Sequence, residues 1–304
     1  MHDIIVIGGG PAGMTAALYG LRNGKSVLVL EKHGFGGQIT YSPKVENIPG
    51  FESLSGNEFA DRFMDQILLQ GAEVELENAV KINLENGIFT VSTEEGSSFE
   101  GRSVILANGV RHRMLGLDGE NDLVGEGISF CAVCDGDFYS GKTVCVAGGG
   151  NSALQEALLL AGKCKKVILL QDMPVFTGEQ KLQDALFARG NVEKHVNVRI
   201  TGLIAQNGVL TRIECLDTVK NESFSVSCDG LFEAIGLIPE NEAFASQARL
   251  DEHGYYDSDE SCRTVTPGVF VAGDCRRKAV RQVTTACADG AVAALNACRY
   301  IDSL

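Results

Sequence analysis

The chain has 304 residues, which is enough for two domains with separate hydrophobic cores. Its hydrophobic content of 44% and its 36 glycines are typical of an α/β protein with many tight turns, and they exclude a disordered chain. The net charge of −14 argues against binding to nucleic acid and to anionic membrane surfaces.

The hydropathy pattern and the cysteines indicate a compartment. No apolar run is long enough to span a bilayer, and the strand that begins at Asp3 leaves no room for a signal peptide after Met1. The ten cysteines are scattered and do not form the framework of a small secreted domain. We therefore expect a cytoplasmic protein in which most of the thiols are free and buried.

The first motif follows the first strand. Residues 3–7 form a strand, residues 8–13 read Gly-Gly-Gly-Pro-Ala-Gly, and an apolar helix runs over residues 14–22. This is the G-x-G-x-x-G pattern in a strand–turn–helix context, where glycines let the backbone approach a pyrophosphate at a helix N-terminus. The next strand, residues 26–30, ends at Glu31, whose carboxylate can accept a hydrogen bond from a ribose hydroxyl. These features predict a dinucleotide site.

Loops and short strands follow this motif. Residues 36–40 and 45–51 are rich in glycine, proline and polar side chains that suit a ring system or a ribityl chain. An amphipathic helix is predicted over residues 57–70. Residues 73–106 alternate between short strands and turns, which predicts a β-meander inserted into the first nucleotide domain.

Two cysteines lie between this region and a second motif. Cys131 and Cys134 are spaced to close a small disulfide ring, and at the start of a helix the first thiolate would be stabilised by backbone N–H groups. Asp135 can supply or remove a proton during thiol–disulfide exchange. The same spacing serves zinc half-sites and structural pairs, although the five histidines do not complete a zinc pattern. The position of the pair between two nucleotide motifs favours a redox dithiol.

The second motif repeats the first. A strand at residues 143–147 leads into Gly-Gly-Gly-Asn-Ser-Ala at residues 148–153 and then into a helix at residues 154–161. This is the G-x-G-x-x-A form of the dinucleotide pattern. The following strand, residues 166–170, ends at Gln171. We therefore expect a second nucleotide-binding domain.

The C-terminal region returns to the first domain. A strand that ends at Gly273-Asp274 can place a carboxylate on a ribityl hydroxyl. The tripeptide Arg281-Gln282-Val283 precedes a helix of small residues at 284–299, whose N-terminal dipole can face the pyrimidine side of a flavin. Cys275 is the cysteine nearest to this predicted flavin site.

Over its whole length the sequence resembles the low-molecular-weight, bacterial-type thioredoxin reductases. The resemblance rests on the order and spacing of both glycine motifs, Gly36-Gly37-Gln38, residues 45–51, residues 131–136, Gly273-Asp274 and Arg281-Gln282-Val283. It implies an α/β fold with two Rossmann-like, three-layer nucleotide-binding domains, each with a small inserted β-meander.

The resemblance also implies how the chain is divided. An FAD-binding domain would be split between residues 1–113 and 245–304, and residues 114–244 would form a nicotinamide-nucleotide domain that carries the dithiol. The family further implies a homodimer and two domain arrangements, with hinges near residues 111–115 and 243–247.

The activity implied by the resemblance is disulfide reduction. Electrons would pass through FAD to the Cys131–Cys134 disulfide, with Cys134 nearest the flavin, and attack by Cys131 would deliver them to thioredoxin or a thioredoxin-like protein. Asp135 would act as general acid or base. The residues implied in FAD binding are Gly8, Gly10, Pro11, Ala12, Gly13, Glu31, Gly37, Gln38, Asn47, Val80, Ala107, Gly109, Asp274, Arg281, Gln282 and Val283. Those implied in binding the nicotinamide nucleotide are Gly148, Gly150, Asn151, Ser152, Ala153 and Gln171, and no metal is expected.

The sequence departs from the family where a basic cluster usually holds the 2′-phosphate of NADPH. Residues 170–177 read Leu-Gln-Asp-Met-Pro-Val-Phe-Thr, with no arginine, and Asp172 would repel a phosphate. A preference for NADPH is therefore not expected. NADH, to which Gln171 or Asp172 could offer an acceptor for the ribose 2′-hydroxyl, NADPH held by lysines elsewhere, and a protein donor such as ferredoxin all stay open.

Two further alternatives concern surface charge and function. The basic run Arg276, Arg277, Lys278 and Arg281 could dock an acidic donor, but a solvated loop in which Arg281 alone serves the flavin is the favoured interpretation. Rival functions are a flavin reductase or oxidase with a vestigial dithiol, and a flavoprotein redox sensor. The intact dithiol and Asp135 argue against the first, and the lack of an appended signalling segment argues against the second.

Overall fold

A computed structural model describes residues 1–42 and 44–304. The strands are β1 (His2–Ile7), β2 (Val27–Leu30), β3 (Glu73–Glu75), β4 (Ala79–Glu85), β5 (Ile88–Thr93), β6 (Ser98–Leu106), β7 (Val110–His112), β8 (Ile128–Ser129), β9 (Thr143–Ala147), β10 (Lys166–Leu170), β11 (Val192–His195), β12 (Val198–Gln206), β13 (Val209–Asp217), β14 (Glu222–Ser227), β15 (Gly230–Glu233), β16 (Leu237–Pro239) and β17 (Val269–Val271). The α-helices are α1 (Pro11–Arg22), α2 (Gly56–Leu69), α3 (Ala132–Asp135), α4 (Asn151–Ala161), α5 (Gln180–Phe187) and α6 (Val283–Asp302).

The described chain divides into two compact units. The first comprises residues 1–42, 48–111 and 238–304, and the second comprises residues 44–47 and 112–237. The limits drawn from the sequence, after residues 113 and 244, lie two and seven residues further along the chain than these divisions. Which segments act as domains in solution stays a prediction.

The first unit is built on a mixed sheet in the order β3-β2-β1-β6-β5-β4, with β17 beside β6. The strands β1 and β2 are almost continuous apolar runs because both faces of this parallel region are covered. Ile4 and Val6 face a core that includes residues of α1 and α6, whereas Ile5 and Ile7 face a core that includes Phe89 and Tyr256. The sheet therefore forms the middle layer of this unit.

The predicted meander over residues 73–106 is in fact split between two roles. Strand β3 pairs in parallel with β2, at Leu28 and Glu73, and so belongs to the central sheet. Strands β4, β5 and β6 are antiparallel neighbours, and the alternating burial along β5 is typical of strands with one solvated face. The nine-residue β6 joins the two parts, because it pairs with β5 at its N-terminal end and with β1 and β17 further on.

The second unit has a parallel sheet in the order β11-β10-β9-β15-β8 and a separate antiparallel sheet β12-β13-β14. Val144 and Val146 on β9 face a core that includes residues of α4 and α5, whereas Cys145 and Ala147 face the core shared with β12 and β13. The meander predicted for this domain is the three-stranded sheet.

The chain passes between the two units at β7 and at β16, which pair as a two-stranded sheet. The hinge that the resemblance implies near residues 243–247 falls within the first unit of this division, and its role as a hinge stays a prediction. Phe244 and Ala248 are buried in the core that contains Phe89, and this apolar packing holds the segment in place. Of the helices in residues 1–42 and 44–304, none has the length and hydrophobicity that a membrane span requires.

Candidate active site

The fold requires glycine at some positions of the first motif and not at others. Gly8 has a φ of +110°, and a Cβ there would lie 2.3 Å from the carbonyl oxygen of Ala107. A Cβ on Gly13 would lie 1.8 Å from the carbonyl oxygen of Gly8, so the approach of α1 to β1 requires glycine at both positions. Gly10 has an ordinary φ of −79°, and a Cβ there would meet only Gly36, at 3.9 Å. The fold does not need glycine at position 10, and its open space suits a ligand at the N-terminus of α1.

Two carboxylates, the buried Glu31 and the half-buried Asp274, flank the glycine turn of residues 8–13, which we call the cradle. Glu31 lies at the end of β2, where its two oxygens accept hydrogen bonds from the N–H groups of Gly9 at 2.7 Å and His33 at 3.0 Å. Asp274 follows β17, and its Oδ1 is buried without a hydrogen-bond partner in the described part of the chain. Burial raises the pKa of Asp274 to about 6, although Lys278 and Arg281 oppose the shift. An orphaned acceptor of this kind fits a sugar or ribityl hydroxyl.

The start of α6 is tied to Asp274. Gln282 caps the helix in a reciprocal arrangement with Thr285, whose hydroxyl accepts the N–H of Gln282 at 3.1 Å. Arg281 donates from Nε to the carbonyl oxygen of Asp274 at 3.2 Å, and its guanidinium lies 4.3 Å from the ring centre of Tyr255. These contacts hold the Arg281-Gln282-Val283 segment beside Asp274.

The other residues implied in FAD binding fall into two groups. Pro11 and Ala12 form the first turn of α1, and Ala107 donates its N–H to Ile7 beside Gly8. Gly37 lies against Gly10, since a Cβ on Gly37 would be 3.3 Å from the Gly10 Cα, and Gln38 follows in the same 3₁₀ turn. Gly109 has a φ of +66° in the turn before β7.

Val80 and Asn47 lie apart from this group. Val80 is on the edge strand β4, at a break in its register with β5. Asn47 belongs to the short segment grouped with the second unit. The roles of both residues stay predictions.

Cys131 and Cys134 form a disulfide, as the sequence predicts. Cys131 caps the N-terminus of α3, where its Sγ accepts the N–H of Cys134 at 3.1 Å. The N–H of Cys131 donates to Ser129 Oγ at 3.2 Å, which orients the loop before the helix. A thiolate on Cys131 would therefore be stabilised by a backbone N–H group.

Asp135 is the last residue of this short helix. Its Oδ2 accepts the hydroxyl hydrogen of Ser129 at 2.6 Å, whereas its Oδ1 is buried without a partner among the described residues. Burial raises the pKa of Asp135, and the bond from Ser129 opposes the shift. A carboxyl group that ionises above its usual range beside a disulfide suits a role as acid and base.

Sequence reasoning missed a second carboxyl at this site. Glu156 on α4 accepts the N–H of Ala132, the residue after Cys131. Burial raises the pKa of Glu156 to about 7, and Asp135 adds to the shift. The available signal was a glutamate between Ala153 and Ala157, which are buried positions of this helix.

The second glycine motif has the geometry of the first. Gly148 has a φ of +119°, and a Cβ there would lie 2.5 Å from the carbonyl oxygen of Ala234. A Cβ on Gly150 would meet only Thr177, at 3.9 Å, so the fold does not require glycine there either. Ala153 is fully buried beneath the turn. Gln171 is the counterpart of Glu31: it is buried over Gly149 and donates from Nε2 to the carbonyl oxygen of Val175 at 3.2 Å.

The charges around this second motif are negative or already paired. Asn151 Oδ1 accepts the N–H of Glu179 at 2.7 Å, and Asn151 Nδ2 donates to the Glu179 carboxylate at 3.2 Å; Ser152 is exposed beside it. Asp172 is also exposed. Lys194 lies over the ring of Phe187. No arginine or lysine occurs over residues 170–179, so nothing in this segment attracts a 2′-phosphate.

The basic run near the C-terminus is largely neutralised within the fold. Asp289 accepts two bonds of 2.9 Å from the buried Arg276 and one of 2.7 Å from Lys278. Arg277 pairs with Asp257 at 3.1 Å. These contacts support a structural loop rather than a docking patch. Cys275 is fully buried, its thiol lies 3.1 Å from the carbonyl oxygen of Ala272, and burial raises the pKa of this thiol.

Comparison with known proteins identifies the family. The pyridine nucleotide-disulphide oxidoreductase family matches residues 2–290. The chain belongs to this family. Among curated relatives, thioredoxin reductase from Listeria innocua is 37% identical over 304 residues, which cover 100% of this chain and 95% of that protein. A bifunctional thioredoxin reductase/thioredoxin from Mycobacterium leprae is 36% identical, over 99% of this chain and 66% of that protein.

The solved structures agree with this family. Thioredoxin reductase from Streptococcus pyogenes superposes with a TM-score of 0.94 at 33% identity, covering 100% of this chain and 99% of that one. The resemblance inferred from the sequence is confirmed, and so is the α/β fold with Rossmann-like regions. The protein is a flavoprotein disulfide reductase, and the open space at Gly10 and the orphaned oxygen of Asp274 fit the flavin nucleotide that this class uses.

The open space at Gly10 generates a direct test. Gly10→Val adds a Cβ that the protein backbone accommodates, so the flavin-free variant should melt at the same temperature as the flavin-free unmodified protein. The added methyl groups would occupy the ligand space and cost about 1–3 kcal/mol or more, which is roughly ten- to a hundredfold in FAD affinity. Flavin content and a titration of the apoprotein with FAD measure the effect.

Gly190→Val provides the matched control, because a Cβ at Gly190 meets nothing within 4 Å and lies in the second unit. This variant should retain full flavin content. If Gly10→Val bound FAD as tightly as Gly190→Val, the cradle would not be the pyrophosphate site.

Proposed function

We propose that the protein is a thioredoxin reductase that passes electrons through FAD to the Cys131–Cys134 disulfide and on to the disulfide of thioredoxin or a thioredoxin-like protein. The observation that carries the proposal is the disulfide at the cap of α3, with the N–H of Cys134 directed at Cys131 Sγ. Two half-buried carboxyls accept hydrogen bonds from the residues next to it: Asp135 from Ser129, and Glu156 from Ala132. The names of the relatives support the same substrate, and in the Mycobacterium leprae protein the name joins reductase and thioredoxin in one chain.

FAD, when bound, supplies two-electron chemistry to the dithiol. The backbone at Gly8, Gly10 and Gly13 would hold the pyrophosphate at the start of α1. Glu31 would accept from a ribose hydroxyl, and the partnerless Oδ1 of Asp274 would accept from a ribityl hydroxyl.

The thiol chemistry assigns different tasks to the two cysteines. In the reduced protein the Cys131 thiolate attacks one sulfur of the substrate disulfide, and the other substrate sulfur leaves as a thiolate that takes up a proton. Cys134, after loss of its proton, then attacks Cys131 Sγ and releases the second substrate sulfur, which also takes up a proton. The Cys131–Cys134 disulfide is restored, and the substrate has gained two electrons and two protons.

Asp135 is suited to move these protons. Its raised pKa keeps a larger share of the carboxyl protonated near neutral pH than an exposed aspartate would have. The protonated form can donate to a leaving thiolate, and the ionised form can accept the proton of Cys134. Ser129 holds one of the two oxygens in place at 2.6 Å.

Single substitutions test the division of labour between the cysteines. Cys131→Ser and Cys134→Ser should each abolish reduction of thioredoxin, at least a hundredfold below the unmodified protein, because each removes one half of the exchange. Both should keep full FAD content, since the cradle belongs to the other unit. Insulin reduction coupled through thioredoxin measures the activity.

The absorption spectrum gives the second readout. With Cys131 removed, a Cys134 thiolate should give a charge-transfer band with oxidised flavin. A band that appeared only in the Cys134→Ser protein would reverse the assigned roles. Full activity of either variant would contradict the proposal.

For the electron donor, we propose that a nicotinamide nucleotide binds at the second glycine motif without preference for NADPH over NADH. The open position at Gly150 and the buried Gln171 support binding of a dinucleotide, and the negative charges of Asp172 and Glu179 disfavour a 2′-phosphate. A ferredoxin-type protein is the second candidate, favoured by the lack of any cationic residue over residues 170–179. The pairing of Arg276 and Lys278 with Asp289 argues against the basic run as its docking site.

Restoring positive charge should restore recognition of the phosphate. Asp172 and Met173 are exposed at the end of β10, so the double variant Asp172→Arg/Met173→Arg can present two guanidinium groups without disturbing the buried Gln171. Each charged contact is worth about 1.5–3 kcal/mol, and we expect a ten- to hundredfold gain in affinity for 2′,5′-ADP. Calorimetric titration with 2′,5′-ADP and with 5′-AMP measures the change.

The control is Asp172→Asn/Met173→Gln, which removes the negative charge without adding a positive one. It should bind the two ligands with similar affinity. If the arginine variant gained affinity equally for both ligands, or if the unmodified protein already preferred 2′,5′-ADP, the assignment of this segment would be wrong.

We also propose a homodimer and a cytoplasmic location. A depression of about 490 Å³ in the first unit is lined by residues of α1, α2 and α6, and Tyr19 and Phe51 at its rim are 39% and 38% exposed. An apolar surface of this kind suits a second copy of the chain. Eight cysteines of the described chain are unpaired, which suits a reducing compartment.

A further inference from the structure

Glu156 connects the helix of the second glycine motif to the helix of the disulfide. It lies on α4, and its Oε2 accepts the N–H of Ala132 in the first turn of α3. Such an N–H has no partner within its own helix. Ala132 is buried, with 1% of its surface exposed, so this carboxyl replaces water at a position that directly follows Cys131.

The carboxyl groups of Glu156 and Asp135 also act on each other. No cationic side chain contributes to the pKa of either group, and each carboxyl is shifted upward chiefly by burial. Two buried carboxyls without a cation do not both ionise easily. A charge on Asp135 therefore disfavours ionisation of Glu156, and Glu156, whose pKa is raised to about 7, changes its charge near neutral pH.

The other ionisable groups around these two carboxyls are neutral or paired, so they add no net charge. Tyr139 is neutral, since burial raises its pKa to about 12. Lys163 and Asp137 neutralise each other at 2.6 Å. Burial raises the pKa of the Cys164 thiol, which keeps it uncharged.

We propose that Glu156 is a positioning residue for the thiol–disulfide exchange: it holds the first turn of α3 through the Ala132 N–H, and its proton keeps a second negative charge away from the Cys131 thiolate. The proposal rests on the proposed function of the dithiol. When Glu156 loses its proton, a carboxylate faces the same short helix that stabilises the thiolate. The pKa of the Cys131 thiol then rises, because a like charge disfavours ionisation.

The consequence is a pH dependence with a defined sign. Below pH 6, Glu156 is largely protonated and adds no negative charge beside α3. Above pH 8, Glu156 is ionised. The fraction of Cys131 that is thiolate is then smaller than it would be with a neutral side chain at position 156. Glu156 is thereby a second titrating group, besides the Cys131 thiol itself, on which the fraction of Cys131 thiolate depends.

Thiol alkylation tests this without the electron donor. The FAD-loaded protein is reduced with dithiothreitol, freed of excess reductant under anaerobic conditions and treated with iodoacetamide from pH 5.5 to 9, and modification of Cys131 is followed by mass spectrometry. Glu156→Gln keeps an acceptor for the Ala132 N–H but cannot ionise. The ratio of its alkylation rate to that of the unmodified protein should be near 1 at pH 6 and about three to ten at pH 8. Glu222→Gln, the same change at an exposed position on β14, should give a ratio near 1 throughout.

Glu156→Ala separates the two parts of the proposal. It removes the acceptor as well as the charge, so Cys131 should react more slowly with thioredoxin disulfide than in Glu156→Gln, which rescues the geometry. A ratio for Glu156→Gln that did not change with pH would overturn the role of the proton, and identical exchange rates for the alanine and glutamine variants would overturn the role of the hydrogen bond. Failure of the unmodified protein to reduce thioredoxin, with the alkylation profile intact, would instead contradict the proposed function alone.

Discussion

The tight glycine turn between a strand and the helix that follows it is the constraint on which both nucleotide motifs depend. At α1, a Cβ on Gly13 would lie 1.8 Å from the carbonyl oxygen of Gly8, a distance that no side chain can adopt. At the second motif, a Cβ on Gly148 would lie 2.5 Å from the carbonyl oxygen of Ala234, and Ala153 takes the place of Gly13. Because each turn after the strand requires glycine, the chain can reverse sharply there, and the N-terminal N–H groups of α1 and α4 face the space at the carboxyl edge of each sheet. Gly10 and Gly150 then leave that space open.

Buried carboxyl groups divide into those that the backbone holds and those with an unsatisfied oxygen. Glu31 receives two N–H groups, and Glu120 receives three from Leu115, Gly116 and Leu117. Asp274 and Asp135 each have a buried oxygen without a described partner, and their pKa values are raised. A fold does not retain such atoms for stability, because each costs about 1–3 kcal/mol of desolvation. Their positions beside the cradle and beside the disulfide support the proposed roles of Asp274 in binding FAD and of Asp135 in moving protons.

The basic side chains near the C-terminus, unlike the orphaned carboxyl oxygens, have partners within the fold. Arg276 and Lys278 are nearly buried and converge on Asp289 of α6, so they fasten the loop after β17 to the C-terminal helix. Removing either partner of such a pair would leave an uncompensated charge in the interior. Around the second motif, by contrast, the exposed acid Asp172 has no such counterpart over residues 170–179. The proposed lack of preference for NADPH therefore rests on which charges are free near the second motif rather than on how many the sequence contains.

The sequence by itself determined the family, the two glycine motifs, the strands and helices that flank them, and the pairing of Cys131 with Cys134. These follow from local rules: periodicity, the need for glycine at a tight turn and the short span of a C-x-x-C segment. Only the tertiary structure could show that β3 leaves the meander for the central sheet, that the chain crosses between units at β16, and that Phe244 is buried. It also brought Glu156 to Ala132 from 24 residues away and paired Arg276 with Asp289. Such contacts depend on how elements distant in sequence pack together, and burial, which sets the charge state of Glu156 and Asp135, exists only after that packing is complete.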